Sequence, residues 1–160
     1  MSFAEAADLL SWTGLLLLAL VAARLGRRVR ALEARVPELG LPAGARAPAL
    51  DRLRVGRDGP ALLLFLSSGC GACPVVLDEA LSIAAAGTSV PMHAVFPDEA
   101  LPMRGREHLV QVHTGERSLL ADYRVPSTPF AVLVASGRVR RAEPIRSPDV
   151  LRELAVPNSP

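Results

Sequence analysis

The chain has no lysine, one tryptophan, one tyrosine and two cysteines among its 160 residues. The missing lysine carries no mechanism, because all 18 basic residues are arginine and, with Ala, Leu, Gly and Pro abundant, this reads as a coding bias. A basic excess is missing as well where it would matter. Five arginines against Glu5, Asp8 and Glu33 fall within the first 36 residues, which leaves thirteen arginines facing thirteen acids in the remainder. A formally neutral domain with no basic stripe interleaved with aromatics lacks the electrostatic footprint of a nucleic-acid binder. No internal repeat is visible. Two cysteines supply only half of the four ligands a structural zinc needs, and His93, His108 and His113 are scattered over predicted strand and loop.

Half of the residues are hydrophobic, enough at this length for one ordinary domain with a core plus an accessory segment. The accessory segment is N-terminal. Leu9 to Ala23 (LLSWTGLLLLALVAA) is uncharged, and it extends toward Phe3 and Leu25 if Asp8 and Arg24 snorkel to the interfaces. A secretory signal would begin with a basic region and end at a small-residue cleavage site. This chain begins with Glu5 and Asp8 and follows the run with Arg24, Arg27, Arg28 and Arg30, so the expectation is an uncleaved single transmembrane helix. Trp12 fits an interfacial anchor. Arg27 to Val36 places Val29, Leu32 and Val36 at helical spacing, which predicts a stalk, and Pro37, Gly40, Pro42, Gly44 and Pro48 predict a linker. The expected organisation is an anchor over 1–26, stalk and linker over 27–48 and a globular domain over 49–160.

Within that domain Ala61 to Leu66 (ALLLFL) reads as a central strand buried on both faces, and Ala72 to Ala86 as a helix closed by Gly87. Val90 to Phe96 predicts a second strand, Glu107 to Val112 a short third, and Arg117 to Tyr123 a helical turn or two. Phe130 to Val134, the turn Ala135-Ser136-Gly137 and Arg138 to Arg141 predict a hairpin. Asp149 to Ala155 predicts a closing helix with Ser147 as N-cap and Pro148 in its first position. This order implies an α/β layered fold.

The two cysteines sit in Ser67-Ser68-Gly69-Cys70-Gly71-Ala72-Cys73-Pro74, where a buried strand hands over to a helix. Unpaired N–H groups and the positive end of the helix dipole favour thiolate there. In a Cys-X-X-Cys turn the first sulfur is exposed and the second lies one helical turn further in, close enough to attack a mixed disulfide formed at the first. Gly71 and Ala72 are small enough to leave access to Cys70, and Gly69 keeps the approach open. A metal pair and two inert cysteines are the alternative readings of the same residues.

A Cys-X-X-Cys after a hydrophobic strand, followed downstream by Tyr123-Arg124-Val125-Pro126-Ser127-Thr128-Pro129-Phe130 and a glycine-turn hairpin, resembles the thioredoxin fold. It is most similar to the membrane-anchored TlpA and ResA type of thiol-disulfide oxidoreductase. The anchor, arginine-rich stalk and Pro/Gly linker also resemble MauD, a methylamine utilisation accessory protein. The resemblance implies a central mixed sheet flanked by helices, with Cys70 as attacking nucleophile, Cys73 as resolving thiol and Pro129 as a cis-proline facing the disulfide. It also implies that the backbone of Thr128 pairs with substrate, with Gly69, Gly71 and Ala72 beside it. A cis Thr-Pro bond would put a sharp bend at the mouth of a strand, with no N–H to compete there. No cofactor or metal is implied; the implied partners are a protein dithiol or disulfide and a membrane redox partner.

Several features depart from that pattern. Gly69 replaces the usual tryptophan, and Pro74 disfavours helical geometry at Cys73. The short segment between the motifs questions the full set of strands. No acid precedes the couple in a buried setting: Asp51 and Asp58 lie in turn-like sequence, Asp78 and Glu79 on the following helix. A copper metallochaperone, with His113 as the nearest guess for a third ligand, and a docking module for maturation of a partner are the other functional classes. Disulfide chemistry favours an extracytoplasmic domain, whereas the arginine flank argues for the cytoplasm.

Overall fold

Ala61 to Leu66 has no polar side chain, and in the computed structural model it lies at the centre of a sheet. The structure describes residues 39–56 and 59–156, with Leu18, Leu20, Val21 and Arg24 from the N-terminal region. The expected anchor and stalk lie outside the described residues apart from those four. The chain divides into two units, Met1–Pro37 and Glu38–Pro160, and the fold described here is that of the second.

Strand β1 (Pro60–Phe65) pairs in parallel with β2 (Met92–Val95) and antiparallel with β4 (Phe130–Ala135). β3 (Gln111–His113) adds in parallel outside β2, and β5 (Arg138–Pro144) closes a hairpin with β4, giving the order β3-β2-β1-β4-β5. The mixed sheet is complete at five strands despite the short segment between the motifs. The third strand begins at Gln111 and not at Glu107, because Val110 turns into the core before the ladder starts. Ser136 and Gly137 both have positive φ, 53° and 72°, as a two-residue hairpin turn requires.

Alternation along β1 divides the core. Leu62, Leu64 and Leu66 face helix α1 (Cys73–Ala85) and helix α3 (Pro148–Ala155), meeting Val76, Leu77, Ala80, Leu81, Leu151 and Leu154. Ala61, Leu63 and Phe65 face the other way, toward Leu119 of helix α2 (Arg117–Asp122), Tyr123 and the segment Ala47 to Val55. Pro74 does not perturb the start of α1. It stands in the first turn, where its missing N–H would have had no helical acceptor, so Cys73 keeps helical geometry. Gly87, at φ 87°, follows the helix end and donates to Ala84 O. Ser147 occupies the N-cap position of α3, but its hydroxyl makes no capping bond, in contrast to its predicted role.

The stretch expected as linker belongs to the domain from residue 39 onward. Gly44 donates to Val139 O, Val139 to Ala45 O and Ala47 to Gly137 O, so residues 44–47 run along the outer edge of β5. Gly40, at φ 87°, lets the chain approach so closely that an added Cβ would fall 2.8 Å from Ala142 Cβ and 2.9 Å from the Phe130 ring. Gly40 here serves close packing, whereas a Cβ on Gly44 would meet nothing within 4 Å.

Candidate active site

β1 and β4 are in register with Phe65 opposite Phe130. The residues just beyond β1 and just before β4 are therefore brought to the same end of the sheet. After Leu66 a turn held by Cys70 N–H donating to Ser67 O (3.2 Å) and Cys73 N–H donating to Cys70 O (3.2 Å) leads into α1. Cys70 and Cys73 are joined as a disulfide with Cα atoms 5.4 Å apart, a separation normal for such a bridge. Cys70 is half-buried and Cys73 fully buried among the apolar side chains of the α1 face.

From the other side comes Thr128-Pro129, and the bond between them is cis. Cys70 Sγ lies 3.4 Å from Thr128 O, a contact that becomes a hydrogen bond donated by sulfur only when Cys70 is a thiol. Thr128 and Pro129 are half-buried, and Gly69, Gly71 and Ala72 are exposed. A Cβ on Gly71 would meet nothing within 4 Å and one on Gly69 only Ser67 Oγ at 3.9 Å, so neither glycine is demanded by crowding. Their effect is to keep the surface low around Cys70. All seven residues singled out in the sequence thus come from two adjoining loops and, for Cys73, the first position of α1.

The carboxylates considered beside the couple are engaged elsewhere or lie outside it. Asp78 pairs with Arg106, and Glu79 with Arg152 at 2.8 Å, on the outside of α1. Asp51 is exposed in the segment before β1, and Asp58 lies outside the described residues.

The one buried polar residue among those described is His93, only 2% exposed. The sequence reading did not single out its pairing. Met92 and Ala94 face α1, so His93 faces the opposite side of the sheet, where its Nδ1 is 3.2 Å from Nε2 of His113 on β3. The ring planes differ by 11° with centroids 5.5 Å apart. That separation exceeds the nitrogen–nitrogen distance by about one ring diameter, so the rings meet edge to edge in one plane, sharing one proton. Burial, aided by His113, holds the His93 pKa down to about 4. Burial lowers His113 too, against the pull of Glu116 and with the help of Arg54. A polar residue between apolar neighbours in Met-His-Ala-Val was the available signal; the partner twenty residues on was not. This arrangement removes the proposed copper triad. His113 belongs to the opposite face from Cys73, and no cluster of three or more His, Cys, Asp or Glu among the described residues could hold a metal.

Solved structures share this architecture. The thioredoxin domain of a thiol-disulfide oxidoreductase from Bacteroides vulgatus matches with a TM-score of 0.51 at 14% identity, covering 72% of this chain and 99% of that one. A thiol:disulfide interchange protein from Bacteroides sp. matches with a TM-score of 0.54 at 15% identity, covering 71% and 88%. No protein-family model matches the sequence, and neither does any curated protein. The fold is thioredoxin-like.

Proposed function

We propose that this protein is a membrane-tethered thiol-disulfide oxidoreductase of the TlpA and ResA type, exchanging disulfides with protein partners through Cys70 and Cys73. The observation that carries this reading is a half-exposed sulfur and a buried sulfur in one disulfide at a helix start, with Thr128 O 3.4 Å from the exposed one. In the reducing direction the Cys70 thiolate attacks one sulfur of a partner disulfide. The Cys70–partner bond forms as the partner's other sulfur leaves as thiolate. Cys73, having given its proton to water, then attacks Cys70 Sγ and closes the intramolecular disulfide. Two electrons pass to the partner, which leaves as a dithiol; oxidation of a partner is the same sequence reversed. Thr128 and Pro129 border the reacting sulfur and would align the partner chain. No cofactor enters these steps.

The tether is the apolar run 9–23. Its described apolar side chains, Leu18, Leu20 and Val21, are helical and 69%, 58% and 52% exposed, which suits contact with lipid. Among the described residues no helix is long and apolar enough to cross a membrane. The domain is placed on the extracytoplasmic side, where disulfide exchange has a use, against the arginine flank. The test is a glutathione redox titration of the full chain read by maleimide mass shift, which is unambiguous because the chain has only two cysteines. A reversible two-electron transition, lost in Cys70→Ser and in Cys73→Ser, is expected. Absence of an intramolecular disulfide at every poise would defeat the reading. An impermeant maleimide on intact cells reports the side of the membrane.

A further inference from the structure

Residues 44–47 cover the outer edge of β5, whereas β3 ends the sheet on the other side with no described strand beyond it. A concavity of about 960 Å³ lies at that end. Val112 of β3 packs with the apolar layer beneath α1, and Leu101 of the same layer lines the concavity with it, beside the exposed Pro102. His113, the next residue, points to the other side of the sheet, where Arg52 and Arg54 from the segment before β1 join the lining. Part of the hollow is thus apolar, and part carries guanidinium and imidazole.

The formal charges of this place cancel. Arg52 stands 2.7 Å from Glu116 Oε2 in an ion pair. Arg54 is exposed and in no ion pair among the described residues, and it is balanced by Glu107, the one acid of the lining, whose Oε1 accepts from Gly105 N–H at 3.2 Å. An anion that enters therefore leaves one negative charge over unless a proton comes with it. His113 is placed to take that proton: its Nε2 is committed to His93 Nδ1 at 3.2 Å, which leaves Nδ1 as the ring nitrogen available to the concavity. The charged and titratable groups around the ring are His93 on β2, Glu116 ahead of α2 and Arg54 ahead of β1. Burial lowers the His113 pKa, Glu116 pulls it up and Arg54 pushes it down. A bound carboxylate would act in the same sense as Glu116.

We propose that this concavity binds an organic carboxylic acid with an apolar body, the carboxylate between Arg54 and His113 and the body along Leu101 and Pro102, with one proton taken up by the histidine pair on binding. The proton comes from solvent and rests on His113 Nδ1, which donates to the carboxylate while Nε2–H donates to His93 Nδ1. No bond other than these hydrogen bonds is made.

Titration calorimetry of the full chain with hexanoate, hexanamide, acetate and inorganic phosphate, each in two buffers of different ionisation enthalpy, tests this. Hexanoate is expected to bind about tenfold more tightly than hexanamide, which has the same body without the charge. It should also lead acetate by about tenfold, the effect of hiding about two methylenes. Its binding should take up about one proton, and its affinity should rise by up to about tenfold per unit as pH falls from about 8 to about 6. The acid itself stays ionised in that range, so the proton goes to the protein. Arg54→Gln should remove the lead over hexanamide and His113→Gln the proton uptake, whereas Arg140→Gln, exposed on β5 at the other edge of the sheet, should alter neither. No binding of hexanoate, equal binding of hexanamide, or tighter binding of phosphate would overturn the inference. So would proton uptake near zero, uptake that persists in His113→Gln, or an equal loss in Arg140→Gln, which would report surface charge alone. None of these outcomes bears on sulfur exchange at Cys70, so this inference and the oxidoreductase reading fail separately.

Discussion

On the side of the sheet covered by α1 and α3, the buried residues are aliphatic, Met, Phe and one cysteine, Cys73. On the opposite side the buried layer includes the Tyr123 hydroxyl and His93, which meets the half-buried His113. The two sides therefore answer to different variables. The disulfide sits where the packed side chains offer no proton donor or acceptor other than sulfur, while the two histidines whose pKa values burial lowers lie across the sheet from it. Stability against acid and the reactivity of the couple should be separable by mutation.

The apolar side is the place for the largest loss of stability. Leu81→Ala, at a fully buried position in α1, should lower the unfolding free energy by about 3 kcal/mol, read by chemical denaturation. A loss below about 1 kcal/mol would mean that α1 packs far more loosely than its burial indicates.

The polar side should reveal itself through pH. His93 has a folded pKa of about 4, below its unfolded value near 6.5. The folded state refuses a proton that the unfolded chain accepts, so this contribution is complete above pH 6.5, declines as pH falls, and is lost by about pH 4. The total is about 3 kcal/mol, with His113 acting in the same direction. His93→Gln should flatten the dependence between those limits, and an unchanged slope would place the acid sensitivity elsewhere. The redox midpoint at neutral pH should not move in that variant; if it does, the two sides are coupled.

A smaller effect tests the hydroxyl of that layer. Tyr123 donates to Pro48 O at 2.8 Å and its ring packs 5.3 Å from that of Phe65. Tyr123→Phe keeps the ring and removes the bond, for an expected loss of about 1 kcal/mol. A larger loss would show that the hydroxyl is what holds the 47–55 segment on the sheet.

The stretches that the structure brings together as a candidate site were readable in the sequence because local chemistry marks them. A Cys-X-X-Cys between a strand and a helix, and a Thr-Pro before a strand, each occupy a few adjacent positions, and register between Phe65 and Phe130 does the rest. The central strands and the hairpin were legible for the same reason. β3 was misplaced because three residues at a sheet edge carry no usable period. The His93–His113 contact depends on the pairing of β2 with β3, a long-range fact. The expectation about Pro74 erred because a proline that breaks a helix interior is welcome in its first turn. Residues 39–48 misled through composition: Gly40, Pro42 and Gly44 are typical of a flexible tether, yet Gly40 is required by its contact with Phe130 and Ala142.

That last segment bears on how the domain behaves in a crowded solution. A terminal strand offers unpaired N–H and C=O groups to any passing chain, and such edges promote association. Here Gly44, Ala45 and Ala47 occupy those groups at Gly137 and Val139. A fragment trimmed to start after Pro48, where composition alone would place the cut, would strip that cover from β5. Its sulfur chemistry would be unaltered, but it would be inclined to aggregate through the uncovered strand.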